Sequence, residues 1–300
     1  MAVLICGSLA FDTIMTFEGR FADQILAEQL HILNVSFLVP SLRRDFGGCA
    51  GNIAYSLNLL GGKALPMATL GSDGEEYLQR LRTLGIGTDF VSRVDETYTA
   101  QAMIMTDLDN NQITAFHPGA MMQAHRNRIE NTAAHGITLG IVAPDGRDAM
   151  LEHAAQFHEA GIPFVFDPGQ GLPMFGGEEL RHFVDLATWV AVNDYEARML
   201  CDRTGLDLAE LSTRVKGLVV TLGAAGCEVW SAGTKTLVPP VTPQQVVDPT
   251  GCGDAWRGAL LFGLEQGWSL ERCAALGSRM GALKIASRGP QNYQLDFTPV

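Results

Sequence analysis

Short apolar runs rich in β-branched residues alternate along this chain with longer segments of helical periodicity. The runs are VLICG (3–7), GIVAP (140–144), PFVFD (163–167), WVAVN (189–193) and LVVTLG (218–223). The segments between them, such as 148–161 and 194–205, carry apolar residues at helical spacing and end at a glycine. This alternation predicts an α/β fold, with a mostly parallel central sheet flanked by helices on both faces. A length of 300 residues fits one large domain or two smaller ones.

Two regions interrupt this alternation. Residues 97–118 alternate apolar and polar residues around the turn-like sequence DLDNN, which is typical of a β-hairpin. Residues 13–47 form a long excursion after the first predicted strand, and VSFLV (35–39) within it alternates in the same way. We expect these two insertions to form a small β lid over a site.

The charge balance argues against two classes of partner. The chain has 33 acidic and 21 basic residues, a net charge of −12, and no basic cluster longer than Arg43-Arg44. An acidic surface repels nucleic acids and anionic membranes, and no apolar stretch approaches the roughly 20 residues of a membrane span. The six cysteines are scattered without a CxxC pair, and the N-terminus has no basic leader. We therefore expect reduced thiols and a cytoplasmic protein.

Polar residues gather where the predicted strands end. Parallel sheets bind ligands in the crevice outside the carboxyl ends of their strands. Five such clusters, each with an amide, hydroxyl or carboxylate, predict one large polar site: Ser8 and Asp12; Asp167 and Gln170; Asn193 and Glu196; Thr221 to Gly226; Asp248 to Asp254.

The sequence DPTGCGDAWRGALL places glycines and a carboxylate at the mouth of a helix predicted to begin near Ala255. Gly251 and Gly253 allow the backbone to turn tightly and to approach a ligand. The amides of residues 251–254 would then form an anion site at the helix N-terminus. Beside it, Asp254 fits a base that removes a proton from a hydroxyl while the anion site holds the phosphoryl group under attack. The alternative is that Asp254 only caps the helix.

Three further motifs each permit a functional and a structural interpretation. In GGCAGNIAYSLNLLGG (47–62), Asn52 can bind sugar hydroxyls or cap a helix. Asn193 and Glu196 can hold a hydrated Mg²⁺ or form a helix cap. The TLGAAG sequence at 221–226 can bring backbone close to a nucleotide or form a hairpin turn. The P-loop, dinucleotide-binding, HExxH and GxSxG patterns are all missing from the sequence.

Taken together, GGCAGNIAYSLNLLGG and DPTGCGDAWRGALL resemble the two signatures of the PfkB, or ribokinase-like, family of carbohydrate and nucleoside kinases. The resemblance covers essentially the whole chain and implies a single domain over 1–300. Within the family, GSLAFDTIMTFEGRF, HILNVSFLVPSL, FHPGAM and VNDYE are most similar to bacterial adenosine kinases. This likeness implies transfer of the γ-phosphate of ATP, with Mg²⁺, to the 5′-hydroxyl of adenosine, giving AMP. It also implies a homodimer formed through the lid.

The resemblance also implies roles for individual residues. Asp254 matches the catalytic base, and Gly251, Cys252 and Gly253 match the anion hole. Other matching positions form the nucleoside pocket (Ser8, Asp12, Ser36, Gly48, Asn52, Phe116, Gln170), the ATP and Mg²⁺ site (Asn193, Glu196, Thr221, Gly223, Gly226), and a site for a monovalent cation, usually K⁺ (Asp248, Thr250). Gly171 stands where close adenosine kinases often have a second glutamine.

Other functions remain open at this point. The chain can be a broad-specificity nucleoside kinase that accepts inosine, guanosine or cytidine, or a ribokinase or another sugar kinase of the same family. An aromatic-lined lid with a glutamine favours a nucleobase, whereas a bare sugar needs only partners for its hydroxyls. A non-catalytic nucleoside-binding protein with the same fold is a third possibility, because fold alone does not guarantee activity.

Overall fold

The computed structural model describes residues 1–25, 32, 34–130 and 132–298. Within these residues, nine strands form the central sheet, in the spatial order β13-β12-β11-β10-β9-β8-β1-β4-β5. Seven of them pair in parallel. At one edge the pairing is antiparallel, β12 with β11 and β13 with β12. The strands of this sheet are β1 (Ala2–Cys6), β4 (Ala64–Gly71), β5 (Val91–Val94), β8 (Ile137–Val142), β9 (Phe164–Phe166), β10 (Trp189–Asn193), β11 (Gly217–Thr221), β12 (Cys227–Ser231) and β13 (Thr234–Val238).

The strands that the apolar runs predicted (β1, β8, β9, β10 and β11) are almost entirely buried on both faces. Alternate residues of each strand enter opposite cores: Val3 and Ile5 lie in one, and Leu4 and Cys6 lie in the other. Helices α2, α3, α9 and α10 supply residues to the first core, and α5, α6 and α7 to the second. The helices are α1 (Phe21–Gln24), α2 (Cys49–Leu59), α3 (Glu75–Thr83), α4 (Thr132–His135), α5 (Arg147–Glu159), α6 (Gly177–Leu186), α7 (Asp194–Thr204), α8 (Leu208–Arg214), α9 (Cys252–Glu265) and α10 (Leu270–Ile285).

A second sheet, here called the small sheet, is built from the two regions that interrupt the α/β alternation. Its four strands among the described residues are β3 (Ser41–Gly47), β2 (Ala10–Thr16), β6 (Ala100–Thr106) and β7 (Gln112–His117), in that order. The pair β6 and β7 is the antiparallel hairpin that the alternating pattern predicts.

The first insertion forms its strand later than its pattern suggests. Residues 35–39 have no regular structure, and the strand that pairs with β2 is β3, which begins at Ser41. Neighbouring residues 26–31 and 33 lie outside the described residues. The alternation of VSFLV therefore marks a segment next to the sheet and not a strand within it.

Close packing of α2 against α9 positions the two glycine-rich motifs side by side. A Cβ at Gly258 of α9 would lie 2.5 Å from the Cβ of Ser56 in α2, so only glycine permits this approach. The helix α9 begins at Cys252, three residues earlier than Ala255, because Gly251 adopts a left-handed conformation (φ 80°) as its N-cap. The first turn of α9 consequently contains Asp254 itself.

The structure adds two general observations. No described helix combines the length and the apolar character that a bilayer crossing requires. All six cysteines are free thiols.

Candidate active site

A cavity of about 750 Å³ lies between the small sheet and the carboxyl ends of the central strands. Most of the residues expected to form a site line it: Ser8, Asp12, Gly48, Asn52, Phe116, Gln170, Asn193, Glu196, Thr221, Gly223, Thr250, Gly251, Gly253 and Asp254. We call it the main cavity. Residues from strand ends far apart in sequence meet here because parallel strands end at one edge of the sheet.

Asp254 lies in the first turn of α9 and accepts a 2.8 Å hydrogen bond from Nδ2 of Asn52. Burial raises the pKa of the Asp254 carboxyl to about 7; the bond from Asn52 and the charge of Arg257 oppose the rise, while Asp167 and Asp12 add to it. A carboxylate with a pKa near neutrality suits a general base, since a substantial fraction is ionised at neutral pH and that fraction is basic enough to accept a proton.

Asn52 is itself held in a buried network. Its Oδ1 accepts a 3.0 Å hydrogen bond from Nε2 of Gln291, which also donates to the hydroxyl of Tyr77 at 2.8 Å. Asn52 lies in α2 and is 5% exposed, and the N-cap of α2 is Gly48, with no side-chain cap bond. The structure therefore assigns Asn52 to the cavity and to Asp254, and not to capping its own helix.

Asp12 forms the small-sheet side of the main cavity. It lies in β2, directly opposite Asp45 of β3. Burial, followed by the charges of Asp45 and Asp248, raises the pKa of the Asp12 carboxyl to about 6. Asp12 is therefore ionised at neutral pH and can accept hydrogen bonds from two neighbouring hydroxyl groups.

A buried ion pair that the sequence did not suggest supports the floor of the main cavity. Arg257, three residues after Asp254 in α9, donates to both oxygens of Asp167, at 3.1 and 3.0 Å, and to the Ala191 carbonyl at 3.3 Å. Its Nη2 also lies 3.8 Å from Oε2 of Glu196. The sequence feature that could have placed Arg257 near the site is its i, i+3 spacing from Asp254, which puts both side chains on one side of the helix. It does not indicate the pairing with Asp167.

Asn193 and Glu196 were expected either to form a helix cap or to hold a hydrated Mg²⁺. Asn193 is the N-cap of α7, with reciprocal 2.8 Å bonds between its side chain and backbone and those of Glu196. Both residues also line the main cavity. Carboxylate and amide oxygens suit Mg²⁺, which keeps several of its waters and takes few protein ligands. The described residues contain no cluster of three or more His, Cys, Asp or Glu able to hold a metal.

The small sheet contributes further lining that the sequence analysis missed. Ala102, Ile104 and Thr114 share the cavity-facing side of the hairpin with Phe116. Strand periodicity identifies them once Phe116 is assigned, because residues two apart share a face.

Four predicted residues do not line the main cavity. Ser36 is exposed, because the irregular segment 34–39 does not pair with the small sheet. Cys252 and Gly226 line a neighbouring cavity of about 270 Å³ that shares Thr221, Gly223 and Gly253 with the main one. The backbone N–H of Cys252 is also occupied, since it donates to the Pro249 carbonyl at 3.2 Å. The anion-hole assignment is therefore weakened at Cys252, but not at Gly251 or Gly253.

Asp248 is the fourth residue that does not line the main cavity. It lies behind that cavity, and its oxygens accept hydrogen bonds from other groups of the protein. Its two carboxylate oxygens accept hydrogen bonds from the backbone N–H groups of Thr250 and Gly289, each at 2.9 Å. Its backbone carbonyl accepts a 2.8 Å bond from the ammonium of Lys284. A cation of the protein thus already contacts the Asp248 carbonyl, so this carbonyl does not fit a potassium ligand.

Comparison with known proteins places this arrangement in a family. Residues 15–296 match the pfkB family carbohydrate kinase model. The chain is 54% identical to the nucleoside kinase of Burkholderia thailandensis in its complex with inosine, with a TM-score of 0.87 over 97% of this chain and 93% of that one. A further structure of that kinase holds ADP and inosine, and this chain matches it at 55% identity and a TM-score of 0.85, covering 98% of this chain and 92% of that one.

More distant relatives include both nucleoside and sugar kinases. The nucleoside kinase of Methanocaldococcus jannaschii is 26% identical, with a TM-score of 0.89 over 98% of this chain and 95% of that one. The ribokinase of Bacillus subtilis is 25% identical over 96% of this chain and 94% of the relative. The predicted fold class is confirmed by these structures. The chain belongs to the PfkB family of carbohydrate kinases and is a phosphotransferase whose acceptor is a hydroxyl group.

Proposed function

We propose that this protein is an ATP-dependent nucleoside kinase that phosphorylates the 5′-hydroxyl of purine nucleosides, including adenosine and inosine. The observation that carries the proposal is the geometry around Asp254. A carboxylate with a pKa of about 7, oriented by Asn52, lies between glycine-rich backbone at a helix N-terminus and a cavity large enough for a nucleoside. The inosine complex of the B. thailandensis relative supports the choice of acceptor.

In this proposal Asp12 and Asn52 hold the ribose hydroxyls, because both side chains line the main cavity and both accept or donate hydrogen bonds. Ser8, Gln170 and Phe116 line the part of the cavity beyond them. There the ring of Phe116 offers a face for stacking on the base. This places the 5′-hydroxyl toward Asp254.

The nucleotide lies on the other side of Asp254. The neighbouring cavity between Thr221 and Trp256 is lined mainly by apolar side chains, including Val241, Val246 and Ile285, and suits the adenine ring of ATP. Its junction with the main cavity at Gly223 and Gly253 directs the phosphates of ATP toward Gly251 and Asp254.

Asp254 then accepts the proton of the 5′-hydroxyl as the hydroxyl oxygen attacks the γ-phosphorus, and the bond from the γ-phosphorus to the β,γ-bridging oxygen breaks to release ADP. The backbone N–H groups at Gly251 and Gly253 and the N-terminal end of α9 stabilise the negative charge that develops on the phosphoryl oxygens. Mg²⁺, when bound through Asn193 and Glu196, neutralises charge on the ATP phosphates. The small sheet over the cavity limits access of water, which would otherwise compete as an acceptor.

The test is ADP release from MgATP by the purified protein with adenosine, inosine, guanosine, cytidine, ribose and fructose 6-phosphate offered separately. Turnover with adenosine and inosine supports a purine nucleoside kinase, and turnover with adenosine alone supports the narrower adenosine kinase. Turnover with ribose or the sugar phosphate and with no nucleoside would overturn the proposal. Tight nucleoside binding without ADP release would point to a non-catalytic sensor.

A further inference from the structure

Lys284 is a buried cation behind the glycine-rich loop. Its side chain is in α10 and is 0% exposed. Its ammonium donates to the backbone carbonyls of Asp248, at 2.8 Å, and Ser287, at 3.0 Å. Burial lowers the pKa of Lys284, and the charge of Asp248 opposes that change. A buried ammonium is tolerated only where it is hydrogen-bonded and faces negative charge, and both conditions are met here.

The two carbonyls belong to segments that determine the position of α9. Asp248 lies three residues before Gly251, the N-cap of the helix that carries Asp254. The Asp248 carboxylate in turn accepts hydrogen bonds from Thr250 and Gly289, each at 2.9 Å. Lys284 thus links the loop before α9 to the turn after α10, immediately behind the proposed anion hole.

We infer that Lys284 is a positioning residue whose ammonium replaces a bound monovalent cation, so that phosphotransfer by this protein does not depend on K⁺. Backbone carbonyls arranged around one positive charge are the usual surroundings of a monovalent cation. In this chain the ammonium already satisfies them, and a K⁺ ion at the same place would be repelled by a like charge. The inference goes beyond the proposed function and rests only on its phosphotransfer step.

The first experiment compares wild-type turnover in K⁺, Na⁺ and tetramethylammonium chloride at equal ionic strength, with the acceptor that gives the highest rate. We expect rates within about twofold of one another, because salts at equal ionic strength screen charges to the same extent and no salt cation binds at this site. Activation by K⁺ of more than about fivefold over both other salts would overturn the inference. If no acceptor supports turnover, the proposed function fails separately. Thermal unfolding of the wild type then provides the test, with the same melting temperature expected in all three salts.

Two variants separate positioning from general stability. Lys284→Ala removes the ammonium and leaves space for an ion, whereas Lys284→Met removes the charge and keeps the volume. We expect both to lose at least about tenfold in kcat, because displacement of a catalytic loop is costly. Recovery of Lys284→Ala by K⁺ or NH₄⁺, without recovery of Lys284→Met, supports the inference. If both variants have the same kcat in every salt, the inference is contradicted. If neither variant folds, the comparison of wild-type rates in the three salts still tests the inference.

An independent observation concerns Asp145. It lines a cavity of about 320 Å³ that continues from the proposed base end of the main cavity, with Ser8, Phe116, Pro144 and Gln170 common to both. Asp145 is 3% exposed; its Oδ1 accepts a 2.9 Å hydrogen bond from Gly146, and its Oδ2 has no hydrogen-bond partner among the described residues. A buried polar atom left unpaired is costly, so a ligand that pairs with it gains affinity.

Gly171 lines the same cavity and keeps part of it open. A Cβ there would lie 3.1 Å from Cε of Met174 and 3.4 Å from Sδ of Met150. Because methionine side chains are flexible, the wall beside Gly171 can adapt to a ring that enters this cavity.

We propose that Asp145 determines base specificity by donating a hydrogen bond from Oδ2 to the 6-oxo group of a purine. This proposal rests on the proposed nucleoside kinase function. Burial raises the pKa of the Asp145 carboxyl to about 8, so at pH 7 it is mostly a neutral acid. Since the Gly146 N–H donates to Oδ1, the acid proton belongs on Oδ2. From there it can be donated to an acceptor such as the 6-oxo group of inosine, whereas the 6-amino group of adenosine is a donor.

The test measures kcat/KM for inosine and adenosine with Asp145→Leu and Asp145→Asn, and with Asp148→Leu as an exposed control on α5. We expect Asp145→Leu to reduce the inosine-to-adenosine ratio of kcat/KM at least about tenfold, the scale of one lost buried hydrogen bond. Asp145→Asn, whose Nδ2 can donate in place of the acid, should keep most of the ratio. An unchanged ratio in Asp145→Leu would overturn this proposal while leaving the nucleoside kinase in place. Absence of any nucleoside turnover in the wild type would instead overturn the proposed function.

Discussion

Asn52 in α2 donates a 2.8 Å hydrogen bond to Asp254 in α9 across 202 residues of sequence. The contact exists because Gly258 lets the two helices approach closely and because Gly251 starts α9 at Cys252. The two glycine-rich motifs therefore form one structural unit, in which the Asn52 amide of α2 orients the Asp254 carboxylate of α9.

The first prediction concerns Asp254 itself. Asp254→Asn should fold normally and bind nucleoside, but lose at least ~10³ in kcat, because the amide cannot accept the hydroxyl proton. Steady-state ADP release measures the loss, and calorimetry with the nucleoside measures binding. Asp202→Asn, an exposed substitution of the same kind in α7, is the control and should retain full activity. Turnover by Asp254→Asn close to that of the control would rule out Asp254 as the base.

The second prediction concerns the pH dependence that Asn52 sets. With the pKa of Asp254 at about 7, kcat/KM should fall as the pH decreases through that value, because protonation removes the base. The hydrogen bond from Asn52 lowers the pKa of Asp254, so Asn52→Ala should move this acid limb to higher pH and reduce activity most below pH 7.

Asn58→Ala is the matched control for this experiment. Asn58 lies in the same helix and donates to the Leu84 carbonyl at 3.0 Å, away from the main cavity. Its pH profile should match that of the wild type. An acid limb that stays in place in Asn52→Ala, with only a lower plateau, would mean that Asn52 positions groups without tuning Asp254.

The fold and most of the site were predictable from sequence because they depend on local patterns. Apolar runs identified β1, β8, β9, β10 and β11 to within a few residues, since a buried parallel strand needs apolar residues on both faces. Glycines and polar residues at strand ends identified most of the cavity lining, because the rule for ligand position in parallel sheets is geometric.

What could not be predicted depends on contacts between distant segments. Nothing local in FVFDPG indicates that Asp167 pairs with Arg257, and nothing local in ALKIAS indicates that the Lys284 ammonium meets the carbonyl of Asp248. Ser36 was assigned to the nucleoside pocket by resemblance, and the structure shows it exposed in a segment that does not pair with the small sheet. Charged residues usually lie at the surface, so buried ones are the hardest to assign from sequence.

The third prediction compares a buried ion pair with an exposed one. Arg257→Met should lower the free energy of unfolding by about 3–5 kcal/mol, because it leaves the Asp167 carboxylate buried without its partner. Arg214→Met is the control, since Arg214 and Asp185 form a partly exposed pair at 2.8 Å, and its loss should cost under ~1 kcal/mol. Denaturant unfolding monitored by circular dichroism gives both values.

The double variant Asp167→Asn/Arg257→Met should recover part of the stability lost in Arg257→Met, because it removes the unpaired charge as well. If Arg257→Met costs no more than Arg214→Met, the buried pair does not stabilise the floor of the cavity.

The last prediction concerns assembly, which we propose is a homodimer formed through the small sheet. Ala102, Ile104, Thr114 and Phe116 face the main cavity, so the alternate residues face away from it. On that outer side Met103, Leu42 and Ile113 are 42%, 62% and 41% exposed. An apolar sheet face of this kind, with β3 and β7 at its edges, is usually covered by a partner. The partner that fits best is a second copy of this chain, because its small sheet exposes the same apolar face and that face must also be covered.

Light scattering at micromolar concentration should therefore give the mass of two chains for the wild type. Met103→Lys/Ile113→Lys should give the mass of one chain, because desolvating two ammonium groups in an apolar interface is costly. Met122→Lys, at a position that is 52% exposed and outside the small sheet, is the control and should remain dimeric. A wild-type mass of one chain would refute the dimer. A dimer that survives the double substitution would place the interface on another surface.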